Sequence, residues 1–175
     1  MSETLYPCTF LMNDFVEKDD LLQYVSYYRF RSSKSNLFYL VRLEVYNSHV
    51  YGVKFFLKNM LNSPRKYYHL TNTYEPRVIV YSIFQLMFQI LQRDPLATFL
   101  FIGNPDEGQR SYYNTRRYRL YCKLVENKIS DTYFKHIRTD KYSLYILANK
   151  RQIEDNPFFA KQLVDELLQR FVLEV

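Results

Sequence analysis

LFYLVRLEVYNSHVYGVKFFL, residues 37–57, is the stretch whose reading decides the fold. Aromatic and β-branched residues dominate both halves, and Asn47-Ser48-His49 between them is short turn chemistry. The stretch therefore reads as two antiparallel strands, Leu37–Tyr46 and Val50–Leu57, closed as a hairpin. Outward on the N-terminal side, Tyr24–Arg31 (YVSYYRFR) has the same character, and Ser32–Asn36 is the loop that separates it. Three such segments make an antiparallel meander. The first 20 residues are mixed and acidic and read as an extended arm or a first edge element.

Outward on the C-terminal side, Asn62-Ser63-Pro64-Arg65 breaks the strand pattern, and Tyr67–Leu70 reads as a short further strand. Asn72-Thr73 then offers an N-cap, Glu75 an acid for the first helical turn, and Pro76 an early-helix proline. The run VIVYSIFQLMFQIL, residues 78–91, is apolar almost all round, so it is expected to be a central helix buried on more than one side. Phe84, Leu86, Met87, Ile90 and Leu91 are its core candidates. Arg93-Asp94-Pro95 ends it. Residues 97–102 are too short for a helix and read as a strand. A basic helix from about Ser111 to Val125 follows, then strands Tyr133–Arg138 and Tyr142–Leu147 around a Thr139-Asp140-Lys141 turn.

Asn156 and Pro157 open a last helix, in which Phe159, Leu163, Leu167 and Phe171 share a face with Ala160, Val164 and Leu168 beside it. Phe158, Val172 and Leu173 fall outside that stripe, which marks either a frayed end or a homodimer contact through this helix. The expected architecture is one α+β domain over residues 1–175. Its antiparallel or mixed sheet of about five to six strands is packed by the central helix, the basic helix and the C-terminal helix.

Composition agrees with one domain, since 175 residues at 47% hydrophobic can bury one sizeable core. The 18 Tyr and 14 Phe suit half-buried strand positions, where the ring packs and the hydroxyl stays wet; stacking on bases or gripping a partner is the alternative use. The net charge of +6 is unevenly spread. Residues 1–20 set Lys18 against Glu3, Asp14, Glu17, Asp19 and Asp20, and residues 152–175 set Lys161 and Arg170 against five acids, so the body between is strongly basic. Such a body suits nucleic acid, an acidic protein or a phosphorylated ligand, or acidic termini folded back over it. Cys8 and Cys122 form neither a disulfide framework nor a CxxC pair. The opening MSETLYPCTFLMNDF lacks a signal peptide's basic and apolar regions, and no apolar run reaches the ~20 residues of a membrane span. The expectation is a reduced, cytoplasmic protein without membrane contact.

The functional candidates lie in NPDEGQRSYYNTRRYRLYCKL, residues 104–124. From Arg110 onward this run carries Arg110, Arg116, Arg117, Arg119 and Lys123 with no acid, interleaved with Tyr112, Tyr113, Tyr118 and Tyr121. Helical spacing places Tyr113, Arg117, Leu120, Tyr121 and Leu124 on a packed side. Tyr112, Arg116, Arg119 and Lys123 fall on another side, a cationic stripe near Arg110 that faces an anionic partner or simply water. Arg117 should instead point inward to a carboxylate or to strand-end carbonyls. No nucleophile elbow, P-loop, HExxH or dinucleotide fingerprint is present, and His49, His69 and His136 have no metal-ligand spacing. No catalytic residue, metal or cofactor is read. Asp106 and Glu107 could serve a divalent metal beside Arg110 only if a third acid joined them.

Residues Tyr28 to Lys150 resemble a set of small domains of unknown function found mainly in Bacteroidetes. Phe99-Leu-Phe-Ile-Gly103 matches their strand and Gly turn, Arg117-Tyr-Arg-Leu-Tyr121 their Arg-x-Arg-Leu-Tyr helix, Asp106–Arg110 a related turn, and Tyr142–Tyr145 the closing strand. This chain departs by an insertion between Gly103 and the arginines. The resemblance implies the fold and a cytoplasmic bacterial setting, and no activity. The functional expectation is a non-enzymatic interaction module that turns Arg110, Tyr112, Arg116, Arg119 and Lys123 toward an acidic partner. The alternative is a protein that binds nucleic acid or processes it with a metal.

Overall fold

The computed structural model describes residues 3–68 and 74–173. Seven strands form one mixed sheet: β1 (Thr9–Phe15), β2 (Leu22–Arg31), β3 (Phe38–Tyr46), β4 (Val50–Leu57), β5 (Thr98–Ile102), β6 (Phe134–Thr139) and β7 (Leu144–Asn149). Their spatial order is β1-β2-β3-β4-β5-β7-β6. Four helices accompany them: α1 (Pro76–Arg93), α2 (Arg116–Lys128), α3 (Lys150–Asp155) and α4 (Phe159–Leu173). The fold is α+β, as the hairpin and the order of elements imply. β1, the acidic N-terminal element, joins the meander as its edge. All pairings are antiparallel except β4 with β5, where α1 supplies the crossover that a parallel pair needs.

The two-residue period of the strands separates two cores. Tyr28, Phe30, Tyr39, Val41, Leu43, Val53, Phe99, Phe101, Tyr145 and Leu147 face α1 and α2. Tyr46, Val50, Leu100, Leu144, Ile146 and Ala148 face the opposite way, onto Phe159, Leu163 and Leu167 of α4. The sheet is thus the middle of three layers over its β4-β5-β7 part, and all six residues of β7 are buried. The stripe of α4 is filled by its own sheet, while Phe158 is 67% exposed; the side chains of Phe171, Val172 and Leu173 lie outside the described residues.

In α1, Phe84, Leu86, Met87 and Ile90 are buried and Leu91 is half-buried. Its near-continuous apolar run suggests burial all round, but Gln85, Phe88, Gln89 and Gln92 form an outer strip in water. The helix lies on one sheet face beside α2. Pro76 occupies its first turn after Glu75; the expected caps Asn72 and Thr73 lie outside the described residues, as do His69 and Leu70. Tyr67 and Tyr68 are turn residues and not a strand, because Arg117, not a neighbouring strand, takes up their carbonyls. α2 begins five residues later than expected, at Arg116. Thr115 is its N-cap, its hydroxyl accepting from Tyr118 N–H at 3.2 Å.

Candidate functional site

The N-terminal end of α2 is held from three directions. Thr115 Oγ1 donates to the Gly103 carbonyl at 2.6 Å, the Thr115 amide donates to Ser143 Oγ at 2.9 Å, and Ser143 Oγ donates to the Tyr112 carbonyl at 2.6 Å. Asn114, with a left-handed φ of 44°, donates its amide to the Asp140 carbonyl. Below this knot, a Cβ on Gly103 would sit 2.4 Å from the Tyr118 amide nitrogen, so only glycine lets β5 and α2 come this close. Tyr118 is fully buried, and its hydroxyl donates to Asp140 Oδ1 at 2.9 Å. The basic residues therefore stand on a rigid base.

Arg110, Arg116, Arg119 and Lys123 are all exposed. Arg110, Arg116 and Arg119 border one depression at the start of α2, with Gln109, Ser111 and Asn114 between them and Asp106 also in its lining. Lys123 continues the stripe one turn along the helix. Among the described residues none of the four has a carboxylate partner; Arg119 donates to the Asn114 carbonyl. Tyr112 is placed differently from the helical expectation. It lies in the loop before α2, half-buried, and its hydroxyl shares a 2.9 Å hydrogen bond with that of Tyr68. Burial, then that bond, pushes its phenol above the ordinary value. The ring that stands free beside the arginines is Tyr113, 66% exposed. The cause is the late helix start: with 111–115 non-helical, neither tyrosine follows the helical wheel.

Arg117 turns inward, as its place on the Leu120–Leu124 side implies. It donates to the Tyr67 carbonyl and, at 2.7 Å, to the Tyr68 carbonyl, and its Nε lies 3.7 Å from Asp106 Oδ1. Glu107 pairs with Arg65 at 2.9 Å. Both acids are thus engaged by arginines. Among the described residues no three His, Cys, Asp or Glu side chains converge to hold a metal ion. His49 braces Asp94 at 2.9 Å together with Tyr51, and His136 meets the Tyr145 hydroxyl.

Two constellations were not singled out by sequence reasoning. The first is Glu44, which is buried and accepts from the Tyr46 hydroxyl, with Lys54 at 2.6 Å and Arg42 at 3.6 Å. Burial pushes its carboxyl up, but Lys54, Tyr46 and Arg42 outweigh that and hold it below the usual range. Its signal was in the quoted hairpin: Arg42 and Glu44 sit two apart in an apolar strand, and Lys54 is the cross-strand neighbour of Arg42 on the same face. The second is a cavity of about 1240 Å³ that passes through the sheet beside the outer half of β4, from α1 and α2 on one face to Lys54, Tyr142 and Leu168 on the other. Tyr39, 1% exposed, lines it with a hydroxyl that has no hydrogen-bond partner among the described residues. Leaving a buried hydroxyl unmet costs about 1–3 kcal/mol. No local sequence signal marks this cavity, because it arises where elements distant in the chain fail to meet.

No helix among the described residues is long and apolar enough to cross a membrane. No protein-family model, curated protein or solved structure matches the chain, so what it does must be argued from this geometry.

Proposed function

We propose that this protein is an interaction module that docks an acidic partner protein on the cationic surface of α2. One observation carries the reading: Arg110, Arg116, Arg119 and Lys123 are exposed together and have no carboxylate partner among the described residues, while Asp106, in the lining of the same depression, pairs with Arg117, and Glu107 pairs with Arg65. Clustered like charges repel one another, and a partner that brings carboxylates relieves that repulsion while the surface steers its approach. The depression between the three arginines gives a carboxylate somewhere to sit, and Tyr113 offers an amphipathic ring at its rim. The engagement of Asp106 and Glu107 by arginines favours this reading over a metal-dependent nuclease.

The test is fluorescence anisotropy of a labelled Asp/Glu-rich peptide and, in parallel, of a random-sequence single-stranded oligonucleotide, each over a salt series. The expected result is peptide binding that weakens with salt and disappears in Arg116→Glu/Arg119→Glu, with the melting temperature unchanged. Oligonucleotide binding lost in the same variant would select nucleic acid as the partner. Binding of either probe that survives both charge reversals, or no binding of either at low salt, would overturn the reading.

A further inference from the structure

β4 and β5 share a ladder only where Val50–Gly52 faces Thr98–Leu100. Beyond it each strand goes its own way: β4 runs on to Leu57 beside β3, and β5 ends against β7. The wedge between them is the cavity of about 1240 Å³, walled by Val53 and Phe55 of β4, Ile83 and Met87 of α1, and Leu120 and Tyr121 of α2. Its size exceeds the roughly 300–1,000 Å³ of an ordinary small-molecule site, which leaves room for an extended apolar body.

Two polar features of the lining point to what that body carries. Among the described residues the titratable side chains at its margin are all cations or tyrosines: Lys54, Lys66, Arg116, Arg117 and Lys141 border it, and no Asp or Glu does. Lys54 is held by Glu44 and Arg117 by the Tyr67 and Tyr68 carbonyls and Asp106. Lys66, Arg116 and Lys141 have no carboxylate partner among the described residues. Burial, then the nearby charges of Arg42 and Lys54, lowers the Lys66 ammonium below its ordinary value, so an anion placed there would be welcomed. The second feature is Tyr39, whose buried hydroxyl, without a partner among the described residues, asks for a ligand oxygen inside the apolar region.

We propose that this cavity binds a long-chain carboxylate bearing a second oxygen on its chain. The hydrocarbon lies between α1 and α2, the carboxylate sits at the cationic margin with Lys66 and Lys141, and the chain oxygen meets the Tyr39 hydroxyl. The site adjoins the docking surface of α2. Arg116 borders both, so the variants below leave it in place.

The experiment titrates the whole protein, carrying ¹³C-methyl methionine, with a mid-chain hydroxylated octadecanoate, with octadecanoate and with octadecanol. Met87 lines the cavity and Met12 stands 52% exposed on β1, so each protein sample holds its own control. Saturable movement of the Met87 methyl signal, with Met12 still, is the expected response to both carboxylates. The hydroxylated acid should bind about three- to tenfold more tightly than octadecanoate, the increment of one hydrogen bond. In Tyr39→Phe that preference should vanish without a fall in melting temperature, because the hydroxyl removed has no partner among the described residues. Lys66→Gln with Lys141→Gln should weaken both carboxylates and leave octadecanol unchanged. A Met87 signal that no ligand moves, octadecanol binding as tightly as octadecanoate, or a hydroxyl preference that persists in Tyr39→Phe would each overturn the proposal.

Discussion

Replacing Arg117 with Ala should be more damaging than replacing Arg116, Arg119 or Lys123, exposed basic residues of the same helix. The guanidinium is 15% exposed, its two terminal nitrogens donate to the carbonyls of Tyr67 and Tyr68, and its Nε faces Asp106, itself 16% exposed. Truncation leaves two carbonyls and one carboxylate without their cation in a place that water reaches poorly. Breaking a buried charge pair by deleting one partner costs about 3–5 kcal/mol. For a chain of this size each kcal/mol lowers the melting temperature by roughly 2–4 °C, so the fall should be about 6–20 °C. Arg116→Ala removes an exposed side chain without a carboxylate partner among the described residues and should stay within about 0.5 kcal/mol of the parent. Thermal melts followed by circular dichroism, with urea titrations to check that the slope is unchanged, measure both. Adding Asp106→Asn to Arg117→Ala removes the stranded charge and should recover part of the loss. Equal melting temperatures for Arg117→Ala and Arg116→Ala would refute the separation of a buried and a solvent-facing side on α2, and with it the argument for Arg117 as a structural pin.

Gly103→Ala should destabilise by more than the about 1–3 kcal/mol usual for overpacking, because its Cβ would meet the Tyr118 backbone at 2.4 Å; Gly52→Ala, where the nearest atom is a side-chain carbon of Tyr46 at 3.2 Å, should cost less in the same chemical denaturation series. Glu44 has a folded carboxyl held below its ordinary value, so its contribution to stability is present above the unfolded value of about 4.3 and is lost as pH falls through the folded one. Unfolding free energies measured between neutral and strongly acidic pH should therefore fall less steeply in Glu44→Gln, and identical slopes would remove Glu44 from the acid transition. Cys8 packs against α1, its Sγ 3.9 Å from the Ser82 carbonyl, and burial pushes its thiol up to about 12, so iodoacetamide at mildly alkaline pH should label it only as fast as the protein opens; labelling at the rate of a free thiol would contradict that packing.

Much of the architecture is written locally. The hairpin of residues 37–57 announces itself because β-branched and aromatic residues alternate around a short polar turn, and β3 and β4 pair there in register. The inward turn of Arg117 was also legible, since helical spacing alone puts it with Leu120 and Leu124. Other points were not. The start of α2 depends on Ser143 and Asp140, some thirty residues on in the chain, which hold Thr115 and Asn114 out of the helix. That displacement exchanged the roles of Tyr112 and Tyr113. The outer strip of α1 was hidden for a related reason: Phe88 lies in a run as apolar as a buried helix, and only the placement of α1 at one face of the sheet leaves it in water.

The sequence by itself determined the class of fold, most strand positions, the presence of the long apolar helix and the concentration of positive charge before and along α2. These depend on periodicity and on residue type, which neighbours in the chain already fix. Tertiary structure alone decided which acids the arginines take, that Glu44 sits among Lys54, Arg42 and Tyr46, and that β4 and β5 part after three residues to leave a cavity with the Tyr39 hydroxyl in its wall. Each of these depends on distances between segments far apart in the chain. Periodicity tells a side chain which way to face, but not what will be standing there.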